Sequence, residues 1–323
     1  MKATMVRIAL GCSAAWMTVA PAKATDVEII AHRGASHDAP ENTLESVRLG
    51  WEQGADAVEV DVYLSKDGHI VVHHDDTTKK LAGVDRKVVA QTLAELQRLD
   101  VGAWKGAKWK GVRIPRLDDV LATIPEGRRM FVEVKCGPEI VPGLAKAFQR
   151  CGKKPGQLVV ISFNYEVVKQ AKATMPRIEC FYLSSFKRDE ATGKLKPSAE
   201  ELIALAKAAQ LEGLNVSYKG LAGTSFVKKV QASGLKLFTW TVNSPAEARR
   251  LAKAMDLRFV DLKDISPSVE ARKRVTTKVA FQHFVLPIHA ENGTIEVVVS
   301  DPFDLSLIHI SEPTRRYAIA YAG

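Results

Sequence analysis

The sequence predicts an α/β fold, a (β/α)8 TIM-type barrel with one long insertion, and three observations carry that prediction. Eight short β-rich runs alternate with helical stretches in about 240 residues, between residues 27 and 266, which is the count such a barrel needs. No glycine-rich nucleotide loop follows the first run, which disfavours the open doubly wound sheet that the same alternation allows. One segment, about residues 75–115, is too long for an ordinary strand-to-helix connection, and loops of that length usually carry function.

In chain order the strand runs are 27–32, 57–62, 130–135, 158–162, 178–183, 213–216, 237–242 and 258–262. Helices fall between them at 43–53, 141–151, 165–174, 199–209, 225–233 and 245–255. Several open on residues whose short polar side chains cap a helix: Asn42, Asn164, and Ser244 before Pro245. The insertion holds a short strand, a turn, a helix at 92–99 and a Gly/Trp/Lys-rich stretch from Gly102 to Gly111.

The ends read differently. Residues 1–24 carry Lys2, Arg7 and Lys23 without an acid, a mainly apolar run, and Ala22-Lys23-Ala24 at the cleavage position. That pattern is an export signal, too short to span a bilayer, and it predicts a periplasmic or extracellular protein. The barrel is then expected over 25–270. Residues 279–286 and 294–300, with Glu291-Asn292-Gly293 as a turn, read as the start of a β domain at 271–304. Residues 305–315 match the frame translation of a transposase-type sequencing adaptor, so 305–323 is expected to be an artefact and His309 is left out of any site.

Of 323 residues, 46% are hydrophobic, enough for a buried core and too many for disorder. The formal charge of +9 falls to +6 once residues 1–24 are set aside, and no long Lys/Arg run follows. Nucleic acid is therefore not an expected partner. Four cysteines are too sparse for a disulfide scaffold. Removal of residues 1–24 leaves three, so at least one stays free or pairs with another chain; Cys136 reads as core filler.

The chemistry gathers at successive strand ends: His32-Arg33-Gly34, Glu59-x-Asp61, His73-His74-Asp75 and Glu133-x-Lys135. Residues i and i+2 of a strand share a face, so Glu59 pairs with Asp61 and Glu133 with Lys135. Three carboxylates turned into one barrel mouth need a compensating cation. An all-oxygen set suits Mg2+ or Ca2+ rather than zinc. Two histidines beside it suit proton transfer at an oxygen leaving group, and Arg33 and Lys135 suit a phosphate. Phosphodiester cleavage fits this set better than acyl or glycosyl transfer. Each residue alone has a plainer reading, as a strand ion pair or a satisfied core histidine; their joint placement favours chemistry.

The motifs His32-Arg33-Gly34, Pro40-Glu41-Asn42-Thr43, Glu59-Val60-Asp61, Lys66-Asp67-Gly68, His73-His74-Asp75, Glu133-Val134-Lys135, Ser162-Phe163-Asn164 and Trp240-Thr241-Val242-Asn243 resemble the glycerophosphodiester phosphodiesterase family over residues 27–266. The resemblance implies a barrel with one long insertion and a small-molecule glycerophosphodiester substrate. It implies that Glu59, Asp61 and Glu133 bind one divalent cation, Ca2+ or Mg2+. By the same resemblance His32 and His74 form the acid–base pair, Arg33 and Lys135 hold the phosphate, and Trp240 lies beside the glycerol pocket. Alternation turns His73 away from the face of His74. Glu41 and Asn42 are read as support for the cation site or, for Asn42, as a helix cap, and Trp104 and Trp109 as headgroup contacts or insertion packing. One departure stands out: residues 258–264 replace the Gly-rich, Thr-Asp ending of the family's last strand.

Two other readings compete. A phospholipase D-like enzyme on intact lipids would need an exposed apolar loop at the mouth, and the insertion is lysine-rich instead. A non-catalytic surface binding protein would have no need of both histidines and all three carboxylates.

Overall fold

In the computed structural model, which describes residues 28–190, 193, 195–221, 224–244, 246–247 and 250–251 and the backbone of strands at 5–8, 285–291, 294–299 and 316–321, the chain divides into two units. One comprises residues 28–247, the other residues 1–27 with 248–323.

The first unit is built on β1 (Ile30–Ala31), β2 (Ala57–Leu64), β3 (Ile70–Val72), β4 (Arg129–Val134), β5 (Leu158–Ser162), β6 (Glu179–Ser184), β7 (Gly213–Ser217) and β8 (Lys236–Trp240). The sheet runs β8-β7-β6-β5-β4-β2-β1, every neighbouring pair parallel. Strands sit beside each other in chain order with no reversal, which is the winding of an α/β barrel and not of a doubly wound sheet. Helices return the chain between them: α1 (Leu44–Glu52), α2 (Lys79–Ala82), α3 (Leu93–Leu96), α4 (Leu117–Leu121), α5 (Val141–Arg150), α6 (Tyr165–Thr174), α7 (Ala199–Ala208) and α8 (Thr224–Ala232). The strand expected at 258–262, with its altered ending, lies outside the described residues, as does most of the helix expected at 245–255.

Strand register decides what faces inward. Ala57, Glu59 and Asp61 stand opposite Arg129, Phe131 and Glu133, and Glu133 opposite Ile161. Below the carboxylates, Ala57, Phe131, Val159, Ile161, Phe181 and Leu183 fill the interior, with Ile30, Phe238 and Trp240 packed against them. The rings of Phe131, Phe181 and Phe238 meet edge-on or tilted at 5.0–6.4 Å. This apolar plug leaves the carboxylates only the open end of the strands to face. Beneath it, Arg129 bridges Glu28 (2.6 Å) and Glu179, and Lys236 also pairs with Glu179. Burial raises the Glu28 pKa, and Arg129 opposes that rise. Arg129→Ala is expected to strand Glu28 and lower unfolding stability by about 2 kcal/mol, read from the urea midpoint, with kcat unchanged.

The insertion has a core of its own. Tyr63 of β2 and Val71 of β3 pack with Leu81, Val88, Leu96, Val101 and Ile114. β3 pairs antiparallel with β2 along the edge that short β1 leaves free. Cys136 packs on this core, where burial pushes its thiol to about 11, so it is filler and not a thiolate. Cys136, Cys151 and Cys180 are all free.

Local differences from the sequence reading have causes. β1 ends at Ala31, one residue before the expected end, because Arg33 (φ 58°) and Gly34 (φ 75°) turn the chain at once. Gly34 is required there: a Cβ would lie 2.5 Å from the Ser46 carbonyl carbon. The helix expected at 92–99 is a single turn, α3, closed by a capping box between Thr92 and Glu95.

In the second unit the strands at 5–8, 316–321, 294–299 and 285–291 form one sheet in that order. Val285–Glu291 and Thr294–Val299 pair antiparallel, which puts the first strand of the expected hairpin later than 279–286. Among the described residues no helix is long and apolar enough to cross a membrane.

Candidate active site

Glu59 and Asp61 on β2 and Glu133 on β4 meet at the mouth of the barrel, with one carboxylate oxygen from each lying within 4.8 Å of the others. All three are buried. Glu59 Oε1 and Asp61 Oδ1 are buried without a hydrogen-bond partner. Like charges packed this way repel and desolvate one another. Burial first, then Asp61 and Glu133, drive the Glu59 pKa well above the usual range, and burial with Asp61 raises that of Glu133.

Two cations answer them in part. Arg33 Nε lies 3.4 Å from Asp61, and its Nη1 donates to Glu41 at 3.0 Å. Lys135 Nζ donates to Glu133 at 2.6 Å and lies 3.5 Å from Asp61. Burial alone would lower the Lys135 pKa, but Asp61 and Glu133 outweigh it and raise it. Glu41 also accepts from Lys80 at 3.2 Å; burial would lift its pKa, and Arg33 with Lys80 hold it low. Four carboxylates thus face three cations, and the oxygens left over are those a divalent cation would take.

The backbone is bent to serve this cluster. With Arg33 in the left-handed region, its N–H donates to Glu59 Oε2 at 2.9 Å. His32 stands beside it, Nε2 4.0 Å from Glu59 Oε2. Burial and the Arg33 charge lower the His32 pKa to about 4, so its ring is neutral at neutral pH; the His74 charge acts on it in the same direction. His74 Nδ1 is tied to Asp75 Oδ1 at 2.6 Å, which fixes the ring and leaves Nε2 as its other nitrogen. His73 turns the other way, 1% exposed, with Nε2 bonded to the Thr77 carbonyl at 3.0 Å.

Trp240 stands at the end of β8. Its indole N–H donates to the Asn215 carbonyl at 3.2 Å, and its ring meets Phe163 edge-on at 5.6 Å. Lys135 Nζ lies 6.0 Å from the Phe163 ring. An aromatic wall therefore runs from Lys135 through Phe163 to Trp240. Phe163, which follows β5 and is 45% exposed, had no role assigned from sequence.

Asn42 is placed differently from a helix cap. Thr43 caps α1, accepting from Ser46 N, while Asn42 is 2% exposed with φ 59°. Its amide grips Asp61 twice: Nδ2 donates to Oδ2 at 2.8 Å, and Oδ1 accepts the Asp61 N–H at 3.0 Å. Side chains that orient a ligand carboxylate typically cost 10–100-fold in affinity or activity when lost. Asn42→Gly, which keeps the φ accessible, is expected to lower cation affinity by about tenfold or more, measured by calorimetric titration, with the thermal midpoint within a few degrees of wild type.

Known proteins share this arrangement of strands. The model of the Glycerophosphoryl diester phosphodiesterase family matches residues 32–255, and that of the MshEN domain matches residues 255–311. The chain is 31% identical over 230 residues to a glycerophosphodiester phosphodiesterase of Caldanaerobacter subterraneus, covering 70% of this chain and 90% of the relative. A solved Oleispira antarctica phosphodiesterase in complex with its product sn-glycerol-3-phosphate superposes with a TM-score of 0.63 at 30% identity, over 71% of this chain and 90% of that one. A Thermotoga maritima glycerophosphodiester phosphodiesterase superposes at 0.58 with 27% identity, over 72% and 92%.

Proposed function

The chain belongs to the glycerophosphoryl diester phosphodiesterase family, and on that premise we propose that it hydrolyses glycerophosphodiesters to glycerol 3-phosphate and an alcohol with one divalent cation. The observation that carries the proposal is the trio of buried carboxylates, two with oxygens that accept no hydrogen bond, beside a neutral imidazole. The sn-glycerol-3-phosphate held by the Oleispira relative supports the product.

Glu59, Asp61 and Glu133 would hold the cation, and their all-oxygen set suits Mg2+ or Ca2+. When bound, such an ion supplies positive charge against the phosphate oxygens and lowers the pKa of a nearby hydroxyl. Arg33 and Lys135 hold positive charge at the rim, where the phosphodiester monoanion and the further negative charge of its transition state meet it. His32, neutral, accepts the proton of the glycerol hydroxyl as that oxygen attacks phosphorus. The phosphorus bond to the departing alcohol breaks, and the alcohol takes its proton from His74, whose ring Asp75 orients through Nδ1. Water then opens the cyclic phosphate with the two histidines reversed. Trp240 and Phe163 offer an apolar face to the glycerol carbons. The proposal includes export through residues 1–24 to the periplasm or beyond.

The test is a panel of glycerophosphodiesters assayed after chelation and again with Ca2+ or Mg2+ restored. Turnover that vanishes with chelator and returns with a cation is expected. Turnover indifferent to chelator, or absent on every member of the panel with cation present, contradicts the proposal.

A further inference from the structure

We propose that the loop spanning residues 100–113 docks the protein on an anionic bilayer surface, with the mouth of the barrel turned toward the headgroups. Charge is concentrated there: residues 79–113 hold nine Lys and Arg against three Asp and Glu. Between Asp100 and Asp118 stand Lys105, Lys108, Lys110, Arg113 and Arg116 and no acid.

The loop is built rather than slack. Asp100 accepts backbone N–H groups from Gly102 (2.9 Å), Ala103 (3.0 Å) and Gly111 (2.8 Å), tying both ends together. Two one-turn helices, Ala103–Lys105 and Ala107–Trp109, form its tip. A Cβ on Gly102 would fall 2.1 Å from the Trp109 carbonyl oxygen, so the closure is tight. The loop also leans on the catalytic mouth: Lys105 Nζ donates to the Ser36 carbonyl at 2.7 Å, and Ser36 Oγ donates to the His32 carbonyl at 2.8 Å.

Its exposed chemistry suits a lipid interface. Trp104 is 45% exposed, and its indole N–H is already spent on the Val101 carbonyl at 2.8 Å. The ring can therefore leave water without orphaning a donor, and tryptophan favours the headgroup level. Lys108 and Lys110 are exposed on the same loop, and basic residues held near an anionic leaflet each strengthen binding. Of the exposed large hydrophobic side chains among the described residues, the two aromatic ones, Trp104 and Phe163, both belong to segments at the mouth. Charge complementarity thus selects an anionic lipid surface, on which deacylated lipids would be met at their source.

The experiment uses the full chain and vesicles of phosphatidylcholine with or without phosphatidylglycerol. Co-sedimentation with the anionic vesicles, weakened by salt as screening requires, is expected. Lys108→Glu with Lys110→Glu should lower the bound fraction about tenfold or more, while hydrolysis of a soluble glycerophosphodiester stays at the wild-type rate. Brominated lipid should quench wild-type fluorescence more than that of Trp104→Phe. Equal binding to vesicles without phosphatidylglycerol, or binding unchanged in the double variant, overturns the proposal. So does quenching that Trp104→Phe leaves intact, or complete competition by a soluble polyanion without any quenching. Vesicle binding needs no turnover, so its failure is distinct from failure of the hydrolytic reading.

Discussion

Asp61→Asn is expected to lower kcat/KM on glycerophosphocholine by about a thousandfold, close to 4 kcal/mol of transition-state stabilisation, while the fold survives. Asp61 is fully buried and central: Asn42 holds one oxygen, and Arg33 and Lys135 approach within 3.4 and 3.5 Å. The amide keeps the side-chain volume and can still accept from Asn42, so packing changes little. What is lost is one unit of negative charge in a cluster whose cation affinity depends on charge. Calorimetric titration should show cation binding weakened together with turnover, and thermal unfolding should move only slightly. A variant with near-normal turnover would remove Asp61 from the site. One that unfolds instead would mark it as an architectural ion pair.

His74→Ala is expected to cost about 10^2–10^4-fold in kcat on the same substrate, the range for a lost general acid. The loss should depend on the leaving group. An alkoxide needs a proton as its bond to phosphorus breaks, whereas p-nitrophenolate does not. A glycerophospho-p-nitrophenyl ester should therefore recover most of the first-turnover rate of p-nitrophenolate release in His74→Ala and little of it in His32→Ala, because attack by the glycerol hydroxyl still requires a base. Equal rescue of both variants, or of neither, would contradict the division of roles. The lowered pKa of His32 bears on the same point: with its ring neutral above about pH 4, burial and Arg33 keep it ready to accept a proton at neutral pH.

The strand ends were legible because a strand's alternation is rigid. Once 57–62 and 130–135 are read as strands, Glu59, Asp61 and Glu133 must share the inward face, and the register places Asp61 directly opposite Glu133. The same alternation separates His73, bonded to Thr77, from His74. Asn42 was less legible, since an asparagine before a helix has the same signature whether it caps or not. Thr43 carries a hydroxyl one position later and takes the cap, which frees Asn42 to adopt a left-handed backbone and reach Asp61 across 19 residues of sequence. The only signal was its place in Pro40-Glu41-Asn42-Thr43. Phe163 is hidden for a related reason. A single aromatic after a strand says nothing of its partner, and the Trp240 ring it meets is brought near only by closure of the sheet. Asn215 belongs to the same class, an inward residue of β7 whose Oδ1 is buried without a partner.

Crystals soaked in Mn2+ and glycerol 3-phosphate, with anomalous scattering recorded at the manganese edge, test the central claim most directly. One peak within coordination distance of Glu59, Asp61 and Glu133, vanishing in Asp61→Asn, is the predicted result. No peak among those three carboxylates, or an ion seated elsewhere while phosphate still fills the mouth, would contradict it.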